Sequence, residues 1–339
     1  MGRRMGDKIR WGVLSTALIG TKKVIPGMQR SQRGTVDAIA SRDTERARRT
    51  AAELGIPKAY GSYEELLADP EIDAIYNPLP NNLHVDWTIA AVQAGKHVLC
   101  EKPIGMNAED AARLKAVASE RHVMEAFMVR HHPQWLRARE LVRQGAIGEL
   151  RAVQVFFAYD NRDPENIRNK PETGGGALLD IGCYGIVSGR FSFDTEPKRV
   201  VSLIDRDSVF GTDRLSSVIA DFGGGRQLAF TVSTQIGPHQ RVTIAGTSGR
   251  IEILIPFNAP QMEPTRILID NGSQLGGASS VEEIIPAVDQ YAEEADAFAG
   301  AVLGETELPY GVEDAMANMQ ILDAIFRSEQ SGRWESTGL

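Results

Sequence analysis

The chain has 339 residues, 42% of them hydrophobic, and a formal net charge of −8. That length allows a large core and favours two domains, while the charge argues against a general nucleic-acid or anionic-membrane binder. The two cysteines, Cys100 and Cys183, are too few for a disulfide scaffold and read as buried thiols in a reducing compartment.

The basic opening, residues 1–8, is not followed by an apolar stretch with a small-residue cleavage site. It therefore reads as a flexible, solvated arm and not as a secretory signal. No apolar run reaches the ~18 residues of a membrane span, so a cytoplasmic protein is expected. From residue 9 the chain alternates short β-branched apolar runs (9–15, 36–41, 72–78, 96–100, 123–127) with helix-like stretches (44–55, 83–95, 108–122). That alternation predicts a doubly wound parallel sheet over 9–128, an α/β architecture of the Rossmann type. After about residue 150 the character changes. Runs at 150–159, 216–222, 227–234, 241–247 and 250–256 read as strands, several joined by glycine turns, so residues 129–339 are expected to form an α+β domain with an open, mostly antiparallel sheet. Residues 177–191 are apolar nearly all round and predict a buried helix. Two helices close the chain near 287–303 and 313–330, and they could pack back on the first domain.

The first strand runs into "STALIG", where a dinucleotide fold carries G-x-G-x-x-G. Ser15, Ala17 and Gly20 stand at the three glycine sites, small enough to let backbone amides approach a pyrophosphate. The motif alone is weak, and a tight turn made for packing is the plain alternative. The second strand decides the cofactor. An NAD site puts Asp or Glu at its end, about 20 residues past the glycines; here Ser41 and Arg42 stand there. A hydroxyl and a guanidinium suit a 2′-phosphate, which predicts NADP. Asp43, next in the chain, could instead pair with Arg42. In "HVLCEKP", Glu101 and Lys102 follow a strand end, where doubly wound sheets bind ligands. Pro103 fixes its own φ, restricts Lys102 and admits a cis peptide, so the lysine is aimed. A lysine there can orient a substrate hydroxyl and help it lose a proton.

With "NPLPNNLHVDWTIAAVQAGKHVLCEKP" (77–103), "RHHP" (130–133) and "GGGALLDIGCYGI" (174–186) in view, nearly the whole chain resembles the Gfo/Idh/MocA group of oxidoreductases. The resemblance implies an NADP-dependent sugar oxidoreductase whose second domain carries a dimerising sheet, as a homodimer or dimer of dimers. The cofactor would lie on Ser15, Thr16, Ala17, Leu18, Ile19, Ser41 and Arg42, with Pro78, Leu79, Asn81, His84, Glu101, Lys102 and Arg130 around the nicotinamide end. Lys102 matches the family's E-K-P lysine. Asp180 and Tyr184, four apart on one helical face, match its substrate-binding carboxylate and its proton donor/acceptor. The loop 166–177 brings Arg168 and Lys170 near the substrate helix, and Arg168 would bind the substrate. Asn77 and Pro80 would shape the nicotinamide pocket, and His84 could equally be structural. The G-x-G reduced to Ser-x-Ala is a departure from the usual motif.

No metal site is expected: His131 and His132 are adjacent and diverge, and C-x-x-C and H-E-x-x-H are absent. The leading expectation is oxidation of an aldose at C1 to a lactone, or, with NADP retained, oxidation of one sugar coupled to reduction of another. Reduction of a keto or aldehyde sugar and a dihydrodiol dehydrogenase activity are alternatives. A non-catalytic NADP-binding regulator is the rival from another class.

Overall fold

The computed structural model describes residues 8–339; the opening arm, apart from Lys8, lies outside the described residues. The chain divides into two compact units, one of residues up to Met128 with Asp289–Met316, the other of Val129–Val288 with Ala317–Leu339.

The first unit runs β1 (Ile9–Leu14), α1 (Ile25–Met28), β2 (Gly34–Ala40), α2 (Thr44–Leu54), β3 (Lys58–Tyr60), α3 (Tyr63–Leu67), β4 (Ala74–Asn77), α4 (His84–Gln93), β5 (His97–Glu101), α5 (Ala108–Ala112) and β6 (Val123–Ala126). Among the described residues its six strands lie in the order β3-β2-β1-β4-β5-β6, all parallel. This is the doubly wound arrangement, with the reversal of strand order between β1 and β4. Ile9, Trp11 and Val13 of β1 are fully buried. Gly12 lets α3 approach, since a methyl there would sit 2.6 Å from Leu66 Cδ2. Helix α2 starts where the Asp43 side chain accepts the Arg46 N–H at 3.0 Å, and it ends on Gly55 at φ +66°. The expected helix over 108–122 is a correction: α5 stops at Ala112 and a 3₁₀ turn follows over Arg113–Ala116. Leu114 and Val117 are both buried, and the three-residue period of a 3₁₀ turn aligns them on one face. The short β3 and α3 were not expected from the apolar pattern.

The second unit holds α6 (Pro133–Arg143), β7 (Leu150–Asp160), α7 (Cys183–Phe193), β8 (Arg199–Arg206), β9 (Asp213–Asp221), β10 (Gln227–Ser233), β11 (Gln235–Gly246), β12 (Arg250–Ile253), β13 (Thr265–Asp270) and β14 (Ser280–Ile285). Helix α8 (Gln290–Val302) then belongs to the first unit, α9 (Val312–Ser331) follows, and β15 (Glu335–Ser336) closes the second unit's sheet. The order is β14-β13-β12-β11-β7-β10-β9-β8-β15, nine strands among the described residues. Every pair is antiparallel except β7 with β10. The glycine turns at 223–226 and 247–249 make the expected hairpins. Strand β12 ends at Ile253, so Ile255 does not continue the buried row of Ile251 and Ile253 but is 39% exposed ahead of Pro256.

Helix α7 is seated on one face of this sheet. Leu228, Phe230 and Val232 of β10 are buried beneath it. Gly185 and Gly189 bring the helix close: methyls there would lie 2.8 Å from Phe230 Cγ and 2.9 Å from Leu228 Cδ2. The opposite face carries a groove of about 570 Å³ whose lining includes Val201, Leu203, Ile219, Ala229 and Thr231. Among the described residues no helix is long and apolar enough to cross a membrane.

Candidate active site

In the first unit the candidate residues sit at the carboxyl ends of adjacent parallel strands. Just past β1, Ser15 adopts φ +82°, the left-handed region that glycine ordinarily fills. Its N–H donates to the Ala40 carbonyl at 2.9 Å, and its Oγ accepts the Ala17 N–H at 3.3 Å. The serine thus takes the glycine conformation and supplies its own local bond. Thr16 is buried, Ala17 and Ile19 are half-buried, and Leu18 is exposed. Helix begins at Leu18 and continues through a π-helical turn, Gly20–Val24, into α1. Gly20 is not demanded by space, because a methyl there would meet Pro78 and Tyr76 at an ordinary 3.6 Å.

Past β2, Ser41 is buried and its Oγ accepts the Asp43 N–H at 3.2 Å. Arg42 is exposed, its guanidinium beside the Tyr63 hydroxyl. The Asp43 carboxylate is committed to the first turn of α2. The end of β2 therefore presents a hydroxyl and a cation with the neighbouring acid engaged elsewhere, a donor set that fits a phosphate monoester better than a ribose diol.

Past β4, Asn77 is fully buried: its Nδ2 donates to the His84 carbonyl at 3.1 Å, and its Oδ1 accepts the Leu79 N–H at 3.3 Å. The Pro78–Leu79–Pro80 turn is thus pinned from within, and Asn81 opens the 3₁₀ turn leading to α4. His84 is buried, with Nδ1 2.7 Å from the Pro103 carbonyl and Nε2 2.7 Å from the Leu79 carbonyl. It links the turn after β4 to the turn after β5. Burial lowers its pKa to about 4, against the pull of the two carbonyls. A neutral ring carries one proton, already directed at a backbone oxygen, so His84 acts as a strut.

The Lys102 turn is clamped from two sides. Glu101 accepts the buried Tyr76 hydroxyl at 2.7 Å through Oε1 and the Lys102 N–H at 3.3 Å through Oε2. Glu125 of β6, itself buried, accepts the Ile104 N–H at 2.8 Å. Between them lies the cis Lys102–Pro103 peptide, and the half-buried Lys102 projects from a turn whose backbone both carboxylates hold. Cys100 beneath is a buried thiol that burial keeps protonated.

In the second unit, Asp180 lies in a π-helical turn, Leu178–Gly182, that runs directly into α7. π-Helical turns of this kind recur at functional sites. Its Oδ1 accepts Arg168 Nε at 3.1 Å and its Oδ2 accepts the Tyr159 hydroxyl at 2.5 Å. The half-buried charge is thus compensated. Burial and the Asp180 charge hold the Tyr159 phenol well above its ordinary pKa. Tyr184 is 5% exposed, its ring packed against Phe157 and Phe257 at centroid distances of 5.9 and 5.3 Å. The loop bearing Arg168 folds tightly because Gly175 has no side chain: a methyl there would lie 2.6 Å from the Arg168 carbonyl oxygen. The Lys170 ammonium pairs with Glu165 at 3.0 Å. Arg130 is buried in a 3₁₀ turn ahead of α6, and His132 caps that helix by accepting the Gln134 N–H at 3.1 Å. Among the described residues no three His, Cys, Asp or Glu side chains are grouped to hold a metal ion.

Tyr76, Glu125 and Tyr159 were missed in the sequence. Their only local signal was a polar residue inside an otherwise apolar strand.

Comparison with known proteins fits these geometries. Residues 9–131 match the model of an oxidoreductase family with an NAD-binding Rossmann fold, and residues 135–252 match the GFO/IDH/MocA C-terminal domain. An uncharacterized oxidoreductase of Rhizobium meliloti is 45% identical, covering 97% of this chain and 99% of that protein. The D-xylose 1-dehydrogenase (NADP(+)) 2 of Haloferax volcanii is 38% identical, over 95% and 98%. Among solved structures, KijD10, a 3-ketoreductase from Actinomadura kijaniata in complex with NADP and TDP-benzene, is similar with a TM-score of 0.88 and 30% identity, covering 95% of this chain and 98% of that one.

Proposed function

The chain belongs to the Gfo/Idh/MocA oxidoreductase family, and from that premise we propose that it is an NADP(H)-dependent sugar oxidoreductase, moving a hydride between C1 of an aldose and the nicotinamide with an aldonolactone as the oxidised product. The observation that carries this reading is the Asp180–Tyr184 pair, a carboxylate held by Arg168 and Tyr159 one helical turn from a packed phenol. When bound, the nicotinamide supplies the hydride acceptor or donor. Tyr184, starting as the phenolate, takes the proton of the C1 hydroxyl as the C1–H bond breaks and is left as the neutral phenol, so the balance is aldose to lactone with one hydride and one proton given up. Lys102 contributes a positive charge that favours loss of a substrate hydroxyl proton. Asp180 and Arg168 hold neighbouring hydroxyls of the sugar. The likeness to a xylose dehydrogenase supports the aldose reading. The likeness to a 3-ketoreductase supports a second one, reduction of a keto sugar by NADPH.

The test is a panel of aldoses with NADP+, read at the absorbance band of the reduced nicotinamide. Reduction with at least one aldose is expected. Turnover only of keto sugars with NADPH would favour the second reading, and no turnover in either direction would leave a regulator. Preference for NADP rests on Ser41 and the exposed Arg42. Arg42→Ala is expected to weaken NADP binding by about 1–3 kcal/mol, with NAD much less affected. Equal losses for both cofactors would remove the 2′-phosphate assignment.

The proposal extends to assembly. Leu203 is 78% exposed and Ile219 44% exposed on the sheet face opposite α7. A second copy of that face is the natural cover for it, giving a homodimer or dimer of dimers with two-fold symmetry. Light scattering should return a mass above the 37.0 kDa of one chain; a stable monomer at micromolar protein would overturn this.

A further inference from the structure

A buried carboxylate that no step above uses lies under the start of the Tyr184 helix. Asp213, the first residue of β9, is 2% exposed. Its Oδ2 accepts the Leu178 N–H at 2.7 Å and the Ser216 hydroxyl at 3.1 Å. Leu178 is in the first turn of the helical run that carries Asp180 and Tyr184, and the residue before it, Ala177, has no side-chain cap. The first N–H groups of a helix have no partner within it, and a carboxylate there satisfies one of them and meets the positive end of the helix dipole. Here that cap comes from a distant strand.

The adjoining backbone is built around the same group. Gly176, at φ +118°, faces Asp213 so closely that a methyl on it would lie 2.0 Å from Oδ1. Gly176 also places its carbonyl to accept the Asp180 N–H at 3.1 Å. The carboxylate, the glycine and the residue that holds Arg168 and Tyr159 are therefore linked by consecutive short contacts. Burial raises the pKa of Asp213 to about 6, while the Leu178 N–H, Ser216 and the charge of Arg206 favour its ionised form.

We propose that Asp213 is a positioning residue for catalysis: by capping the helix at Leu178 and packing against Gly176, it sets where Asp180 and Tyr184 stand. This rests on the reading of Asp180 and Tyr184 as the substrate-handling pair. A displacement of about 1 Å in such groups costs up to 10²-fold in rate.

The test compares Asp213→Ala with Asp213→Asn in the full-length protein, measuring kcat, sugar KM, NADPH binding by fluorescence and folding by circular dichroism. The expected result is a loss of roughly 10–100-fold in kcat for Asp213→Ala, with NADPH affinity unchanged. Asp213→Asn keeps an oxygen for the Leu178 N–H and should recover most of the rate. A purely structural role would lower the melting temperature and leave kcat at lower temperature intact. Folded Asp213→Ala with kcat within about twofold of the parent, or equal losses in the Ala and Asn variants, would overturn the inference. If Asp213→Ala does not fold, Gly176→Ala, whose methyl must push the carboxylate aside, should show the same loss of kcat with NADPH binding kept; native kcat there would also overturn it. Tyr184→Phe is run beside them. If it turns over normally, the Asp180–Tyr184 reading falls and takes this inference with it. If it is inactive while Asp213→Ala is fully active, the inference alone falls.

Discussion

Tyr184→Phe is expected to lower turnover on the best sugar by roughly 10²–10⁴-fold, the usual loss for a positioned acid–base group, while NADPH still binds. The ring is packed by Phe157 and Phe257, and phenylalanine preserves that packing, so the variant should fold. Lys102→Met should behave alike. Its turn is held through backbone N–H groups by Glu101 and Glu125. Single-turnover measurements with pre-bound cofactor separate chemistry from binding. Near-native turnover in Tyr184→Phe would mean that another group carries the proton. His84 is poorly placed to be that group, because both its nitrogens lie 2.7 Å from backbone carbonyls.

The second large effect concerns acid. His84 and His132 are buried, and burial lowers both pKa values to about 4 from an ordinary 6.5. Above pH 6.5 neither the folded nor the unfolded chain protonates these rings, so they add no pH dependence. Between 6.5 and 4 the unfolded chain takes up protons that the folded chain refuses. Stability is then lost as pH falls, by up to about 3 kcal/mol per ring. Asp213 works the other way: with a folded value of about 6 against an ordinary 3.8, the folded state protonates first, which offsets about one ring over the same window. Urea titrations at pH 7 and pH 4.5 should therefore show a net loss. His132→Asn keeps a good N-cap residue for α6 and should flatten the dependence; an unchanged slope would sink the assignment to His132.

The parallel sheet, β3 apart, was legible because its strands are short, mostly buried runs with β-branched residues, and burial on both faces leaves a largely apolar pattern. Lys102, Asp180 and Tyr184 were legible because each sits in a contiguous motif. What holds them was not. Tyr76 with Glu101, Glu125 with Ile104, Tyr159 with Asp180 and Asp213 with Leu178 are bonds between residues remote in the chain, and one sequence carries no record of which remote residues meet. Strands β8 and β14 were missed for another reason: most of their residues are exposed or half-buried, and neither carries an apolar run or a regular polar–apolar alternation to mark a strand. The 3₁₀ turn after α5 was hidden by alanines, which suit a longer helix as well.

The first unit is assembled from both ends of the chain. Trp11 of β1 rests on Phe298 of α8 at 5.4 Å between centroids, and Gly27 of α1 lies where a methyl would be 2.6 Å from Tyr291 Cβ. Ser31 and the Arg33 N–H both bond to Asp296. During synthesis, residues 9–128 leave the ribosome long before these partners exist. At about 5–20 residues per second, the wait for α8 is on the order of ten seconds or more. Throughout that interval one flank of the nascent parallel sheet, Trp11 included, is open to solvent and to chaperones, and residues 129–288 must be made before it can close. The cofactor-binding unit is in this sense finished last, and a fragment cut at residue 128 would keep that flank bare permanently.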